Sequence, residues 1–560
     1  MKARTGLCSS AVLAFAILAL TATAVAQSSV VPPEIKAGLD RITPNSVRAN
    51  IVYLADDLLE GRAPGTRGGE LAAKYIVSRL EAMGLEPGGA NGSFYQQVPF
   101  REFRADAENC SAALTKGGVV TALKFADDYL TGGSAFANTV DLDAPIVFVG
   151  YGAEVPKYKL NDYAGIDVKG KVVAILRGGS PAMPAEERAH YGTGTMLAET
   201  AARHGAIGIL MLPTPDWEKE NPYAKSAANL QSGMKWIGPD GKPSGTPEIK
   251  IAAVLSPATS EKLFDGSGTT LAQAVEELKA GNSKSFETPF KIKLHIVTSS
   301  HDITSPNIIA IKRGADAKLK DEYLVYSAHY DHLGIGKPVN GDGLYNGAWD
   351  NATGVTSLLN IADAFSAAKA PARSVAFVFV TAEEKGLLGS DYFAQYPTIP
   401  KDSMLANINI DMIPFFTEYK EIMLGPDRAG VNASIQQVAQ MLGLPANEPP
   451  KGVPQRGGGS FMTRSDGYSF IRVGVPVISI GLRGDPKASE GFRTLYGTRY
   501  HQPSDDLTMP FDWNAGAIFA KANFLLGYEV AQSKEKPAWK AGDWLAECFG
   551  KTNGTKPGMK

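Results

Sequence analysis

The chain has 560 residues, 44% hydrophobic and 20% charged, with 56 basic against 58 acidic side chains and a net charge of −2. At about 100–200 residues per domain, that length predicts more than one domain. The near-balanced charge, with no basic stripe, argues against nucleic acid and anionic membranes as partners.

Residues 1–26 read as a signal peptide. Lys2 and Arg4 precede the apolar run AVLAFAILA (11–19), and Ala24-Val25-Ala26 offers a cleavage site before Gln27. The run is shorter than the roughly 20 residues that span a bilayer. The expectation is therefore an exported protein, periplasmic or extracellular, without stable membrane anchoring. After cleavage only Cys110 and Cys548 remain of the three cysteines. Whether they pair in an oxidising compartment is left open by sequence, as is the oligomeric state.

From Asn45 to Met83 the pattern is helical, interrupted by GRAPGTRGG (61–69), and ELAAKYIVSRLEAM (70–83) ends at Gly84 as helices commonly do. Residues 93–103 read as a strand, with Pro99 inside it favouring an edge position or a break. A separate unit follows: APIVFVGY (144–151), KVVAIL (171–176) and AIGILML (206–212) are short apolar strands, with a helix near 196–204. It closes in the polar stretch GNSKSFETP (281–289).

From Phe290 apolar strands alternate with helical patterns: KIKLHIV, NIIAIK, EYLVYSAHYD, GVTSLLNIADAFSAA, SVAFVFVTAEE, GLLGSDYFAQY, MLANINIDM, SIQQVAQML, VPVISIGL and a last helix over 515–532. This predicts an α/β fold with a mostly parallel central sheet covered by helices on both faces, and a small β-rich domain inserted into it. The boundaries read as 27–109 for the first part of the catalytic domain, 110–288 for the insert, 289–535 for the main catalytic part and 536–560 for a C-terminal tail.

In open α/β sheets ligands bind beyond the carboxyl ends of the strands, and here those ends are polar. EYLVYSA delivers His329 and Asp331, two residues apart and so on one strand face. SVAFVFVTA delivers Glu383 and Glu384, and MLANINI delivers Asp411. The loop NGDGLYNGAWDN carries Asp350, and another carries Tyr500-His501. Alone, each has an ordinary reading: a packed or surface histidine, a helix cap, or an acidic first helical turn. Together, two imidazoles and three carboxylates suit two Zn²⁺ ions, with one carboxylate bridging them roughly 3.5–4 Å apart. Three carboxylates and a bridging hydroxide would also balance the four positive charges.

His329-x-Asp331, GAWDNATG, TAEEKGLLGS, NINID and YHQPSDDL resemble, in order, the motif set of the co-catalytic di-zinc exopeptidases. That family includes secreted bacterial leucyl-type aminopeptidases and glutamate carboxypeptidase II. LADDLLEGRAPGTRG is also typical of it, and FVGYGAEVPKYKLNDYAGIDVKGKVVAILRG resembles its protease-associated insert. The resemblance implies one zinc on His329 and Asp411, a second on Glu384 and His501, and bridging by Asp350 and a water or hydroxide. It further implies Asp331 as a hydrogen-bonding support for His329 and Glu383 as general base. Tyr500 falls where some members stabilise the oxyanion with a tyrosine hydroxyl, with simple packing equally open.

His332 has no role in this set and reads as a surface or loop-bracing residue, and His190, His204, His295 and His301 as structural. Arg62 could brace the N-terminal helix or touch substrate. Where many relatives have Ser-Asp-His, this chain has Ser465-Asp466-Gly467, in the region that shapes the substrate pocket. The function this implies is a secreted or periplasmic zinc aminopeptidase acting on peptides. A carboxypeptidase for acidic termini is the alternative, with Arg464 and Arg472 as candidate anion holders. An inactive receptor-like protein or a single-zinc cyclase would have been expected to lose ligands.

Overall fold

The structure is a computed structural model that describes residues 31–550 apart from Gln231, Ser283 and residues 449–461. The signal segment and most of the glycine-rich QRGGGSFMTR stretch thus lie outside the described residues.

Helix α1 (Arg67–Ala82) opens on Thr66, whose hydroxyl accepts the Gly69 N–H, and buries Ala72, Ala73, Ile76 and Leu80 at helical spacing. Strand β1 (Tyr95–Ala105) follows, then β2 (Thr139–Phe148), β3 (Val172–Leu176), helices α2 (Ala185–Tyr191) and α3 (Gly194–Arg203), and β4 (Gly208–Leu212). Next come β5 (Gly233–Trp236), β6 (Ile251–Leu255) and the 27-residue β7 (Phe286–Lys312). The C-terminal half runs β8 (Tyr323–His329), α4 (Thr353–Ala367), β9 (Ser374–Val380), α5 (Leu388–Gln395), β10 (Met404–Asn409), α6 (Gly467–Arg472), α7 (Pro486–Arg499), α8 (Trp513–Gln532) and α9 (Trp544–Phe549).

The large sheet runs β10-β8-β9-β7-β2-β3-β4-β6 in space. Strands β9, β8 and β10 are parallel, as are β2, β3, β4 and β6. Between the two groups β7 runs antiparallel to β9, β2 and β1. The sheet is therefore mixed, and burial explains the division. Every residue of β8 and β9 is buried, because α4 and α8 cover one face and α5 and α6 the other. Residues 286–297 of β7 alternate between buried and exposed, the signature of a strand solvated on one side.

Residues 112–296 have an apolar core of their own, with Leu114, Leu142, Ile146, Val172, Leu210 and Ile292 among its members. Two features blur the boundary drawn at residue 288. Strand β7 passes unbroken from this core into the other, and β5 returns to pair with β1. The strand expected at VPVISIGL forms at its end alone, where Gly481 and Leu482 pair antiparallel with Met423 and Ile422. Pro476 has no N–H to give a ladder, and the segment meets β10 only around Asn407, through its N–H to Pro476 O and its carbonyl to Ile478 N–H. Cys110 and Cys548 are both free thiols.

Candidate metal centre

The carboxyl ends of the three parallel strands β8, β9 and β10 meet, and the loops after them bring the candidate residues together. His329 ends β8 and is 1% exposed. Its Nε2 lies 3.3 Å from Asp350 Oδ1 and 3.3 Å from Asp411 Oδ1. Its Nδ1 lies 3.1 Å from the main-chain carbonyl of Asp331. A carbonyl only accepts, so Nδ1 carries a proton, and Nε2 is the ring atom that faces the two carboxylates.

Asp331 supports this histidine through its carbonyl; its carboxylate is 3.8 Å from Nδ1. That carboxylate instead accepts the N–H groups of Glu383 and Glu384, at 3.1 and 3.3 Å. It thereby fixes the turn that follows β9, where Ala382 has a positive φ of 57°. The sequence pattern places Asp331 beside His329; that it also sets the orientation of both glutamates emerges only from the fold.

Asp350 faces two ways. Oδ1 points at His329, and Oδ2 lies 3.2 Å from His501 Nε2, which is itself 3.0 Å from Glu384 Oε2. Among the described residues two groups of potential ligand atoms result: His329 with Glu383 and Asp411, and His332 with Asp350 and Glu384. Asp411 is steadied on its far oxygen by the Ser465 hydroxyl at 2.8 Å. Burial works against charge on His329 and His501. The surrounding carboxylates outweigh it, holding His329 well above its usual range and His501 at about 10. Burial likewise resists ionisation of Glu384, but the nearby histidines bring it down to about 2.

His332 is not the surface residue the sequence suggested. It is 1% exposed, with Nδ1 2.7 Å from Glu384 Oε1. The two atoms are close enough for an ion pair but off the hydrogen-bonding line, and both lack a hydrogen-bond partner, as does His501 Nε2. Room for the ring comes from Gly347 at φ 60°, where a Cβ would sit 2.5 Å from His332 Cγ. The third residue after the start of the His-x-Asp pair was visible in the sequence; its inward turn was not.

Two further residues escaped notice. Asp505 accepts the N–H groups of Trp349 and Asp350 on its carboxylate, at 2.8 and 3.0 Å, and that of Ala348 on its carbonyl. Asn351 is fully buried; its amide donates to the carbonyls of His329 and Ile410 and accepts from Gly354 and Met412. Both stand inside quoted motifs, YHQPSDDL and GAWDNATG, next to residues that drew attention first. Arg62 resolves as a brace: it is 1% exposed and donates to the carbonyls of Leu54, Tyr330, Asn346 and Gly347. Burial lowers its guanidinium to about 10 against the pull of Asp505 and Asp331.

A cleft of about 560 Å³ opens beside the centre, lined by Glu383, Glu384, Tyr500 and His501 among others. The Tyr500 ring stacks on His501, with centroids 3.8 Å apart, while its hydroxyl lies 3.4 Å from the Arg464 guanidinium. Burial raises the Tyr500 hydroxyl, so it stays protonated.

Imidazole and carboxylate atoms converge here with buried lone pairs that no hydrogen bond uses, which is the donor chemistry of zinc. Gathered at the ends of parallel strands, these groups could hold metal ions. Residues 307–525 match Peptidase family M28, in keeping with the resemblance to the di-zinc exopeptidases.

Two curated proteins, each named "Probable zinc metalloprotease", are similar over 106 residues. The one from Pyrenophora tritici-repentis (strain Pt-1C-BFP) is 33% identical, over 19% of this chain and 24% of that protein. The one from Pyrenophora teres f. teres (strain 0-1) is 32% identical, over 19% and 22%. The chain thus spans about a quarter of the length of these relatives. In fold it is similar to an aminopeptidase from Aneurinibacillus sp. strain AM-1, with a TM-score of 0.50, 18% identity, and coverage of 91% of this chain and 98% of that one.

Proposed function

We propose that the protein is an exported zinc aminopeptidase that hydrolyses the N-terminal bond of peptides, with two zinc ions per chain. The observation that carries this reading is Asp350, whose two oxygens face His329 on one side and His501 on the other. In this reading His329 and Asp411 would hold one ion and Glu384 and His501 the second, with Asp350 facing both pairs. Bound there, zinc supplies Lewis acidity, polarising the scissile carbonyl and acidifying the attacking water.

Glu383 takes the proton of that water and returns it to the leaving amine. Burial, opposed by His329 and reinforced by the charges of Glu384 and Asp411, raises its carboxyl above the usual range. Tyr500, held protonated, donates to the developing oxyanion from the cleft wall. Residues 110–288 are read as the protease-associated insert, whose α3 and β5 contribute Glu199, Lys235 and Trp236 to the cleft.

One observation favours a carboxypeptidase as the second reading: Lys235, Arg464 and Arg472 line the same cleft. Cleavage of aminoacyl-amides against N-blocked peptides with free C-termini separates the two. Elemental analysis should find close to two zinc per chain, and chelation should abolish turnover. One zinc or none removes the two-ion assignment.

A further inference from the structure

We propose that the cleft selects peptides bearing a carboxylate away from the scissile bond, and that Lys235 and Arg464 recognise it. This rests on the peptidase reading above and adds the substrate class.

Outside the metal-facing glutamates, three cations line the cleft against two acids, Glu199 and Asp391. The acids are engaged. Arg472 lies 3.6 Å from Glu199 and 3.7 Å from Asp391, and the other oxygen of Asp391 accepts the Trp236 indole N–H at 2.8 Å. That leaves Lys235 and Arg464 with no carboxylate within ion-pairing distance among the described residues. Arg464 is solvent-exposed, and among the described residues its hydrogen bond is to the Tyr500 hydroxyl.

Lys235 stands on β5, partly buried, and burial lowers its ammonium, Asp391 and Arg472 acting in opposite senses. A desolvated cation without a counter-ion costs free energy, which a carboxylate arriving with the ligand offsets. Arg464 adds a bidentate fork next to Tyr500, beside the reacting centre. The placement also draws residues 112–296 into substrate binding, since β5 supplies one of the two cations.

The carboxylate could be the C-terminus of a short peptide or an acidic side chain. The test uses the zinc-loaded Glu383→Gln protein, in which turnover is blocked and binding is read by calorimetry. One arm compares Leu-Gly with Leu-Gly-amide, the other Leu-Glu-amide with Leu-Gln-amide. The carboxylate member of at least one pair should bind about 10-fold tighter or more. That ratio should fall to within about twofold when Lys235→Gln or Arg464→Gln is added; a peptide carboxylate landing on zinc alone would keep it. Equal affinity within both pairs, or a ratio that survives both substitutions, overturns the proposal. Should the wild-type protein hydrolyse none of the four peptides while the binding ratio stands, the aminopeptidase reading falls and the anion site remains.

Discussion

At the scale of single residues, the centre works by assigning each polar atom one direction. Asp350 turns one oxygen to each side, and Glu384 turns Oε2 to His501 and Oε1 to His332. Glu383 contributes a carboxyl held protonatable by burial, and its role can be separated from metal holding. Glu383→Gln should retain zinc near the wild-type content while turnover falls at least about 10²-fold; activity close to wild type would remove it as the base. His332 gives a different expectation. Because it contacts the oxygen of Glu384 turned away from His501, His332→Ala should weaken zinc retention by about 10- to 100-fold in chelator competition. An unchanged zinc affinity in a folded His332→Ala protein would show that the contact orients nothing.

At the scale of elements, the site depends on loops pinned from a distance. The Ala348–Asp350 stretch hangs on Asp505, more than 150 positions downstream, which takes three consecutive N–H groups. Asp505→Ala leaves the Trp349 and Asp350 donors unpaired inside the protein, at about 1–3 kcal/mol each. Zinc affinity should drop by an order of magnitude or more, with Asp505→Asn intermediate because its amide keeps one acceptor. The strand ends were readable from their apolar runs and polar termini, and the fold brings those termini together. The pinning was not, because Asp505 and Asn351 gain meaning only from which backbone groups face them.

At the scale of the molecule, the 112–296 part is tied to the catalytic part and the C-terminal helix by a cluster around His190. Its Nδ1 meets the Tyr468 hydroxyl at 2.5 Å, and its ring packs on Tyr191, Trp544 and Phe549. Burial, with Arg472 nearby, lowers His190 to about 4 from 6.5. The folded protein therefore holds this ring neutral. Its contribution is intact above 6.5 and is lost as pH falls toward 4, where the unfolded chain takes up the proton first. The displacement corresponds to at most about 3 kcal/mol. Tm measured from pH 7 to pH 4 should fall more steeply for the wild type than for His190→Gln, the gap between them narrowing at the acid end. Parallel curves would rule out this cluster as the acid-sensitive tie. The structural reading of His190 from sequence was sound in kind, but the joint it forms spans three separate chain segments.

The sequence by itself determined the α/β class, the polar strand ends that the fold gathers together and the resemblance that the match over 307–525 supports. Those properties follow from local patterns: apolar runs of strand length, polar residues at their ends, and motif spacing. Only the tertiary structure decided that His332 turns inward, that Asp331 holds the two glutamates by their backbone, that β7 makes the sheet mixed, and that Lys235 shares a cleft with Arg464. Each of these is a contact between residues far apart in the chain, set by how the layers pack, and no local pattern encodes it.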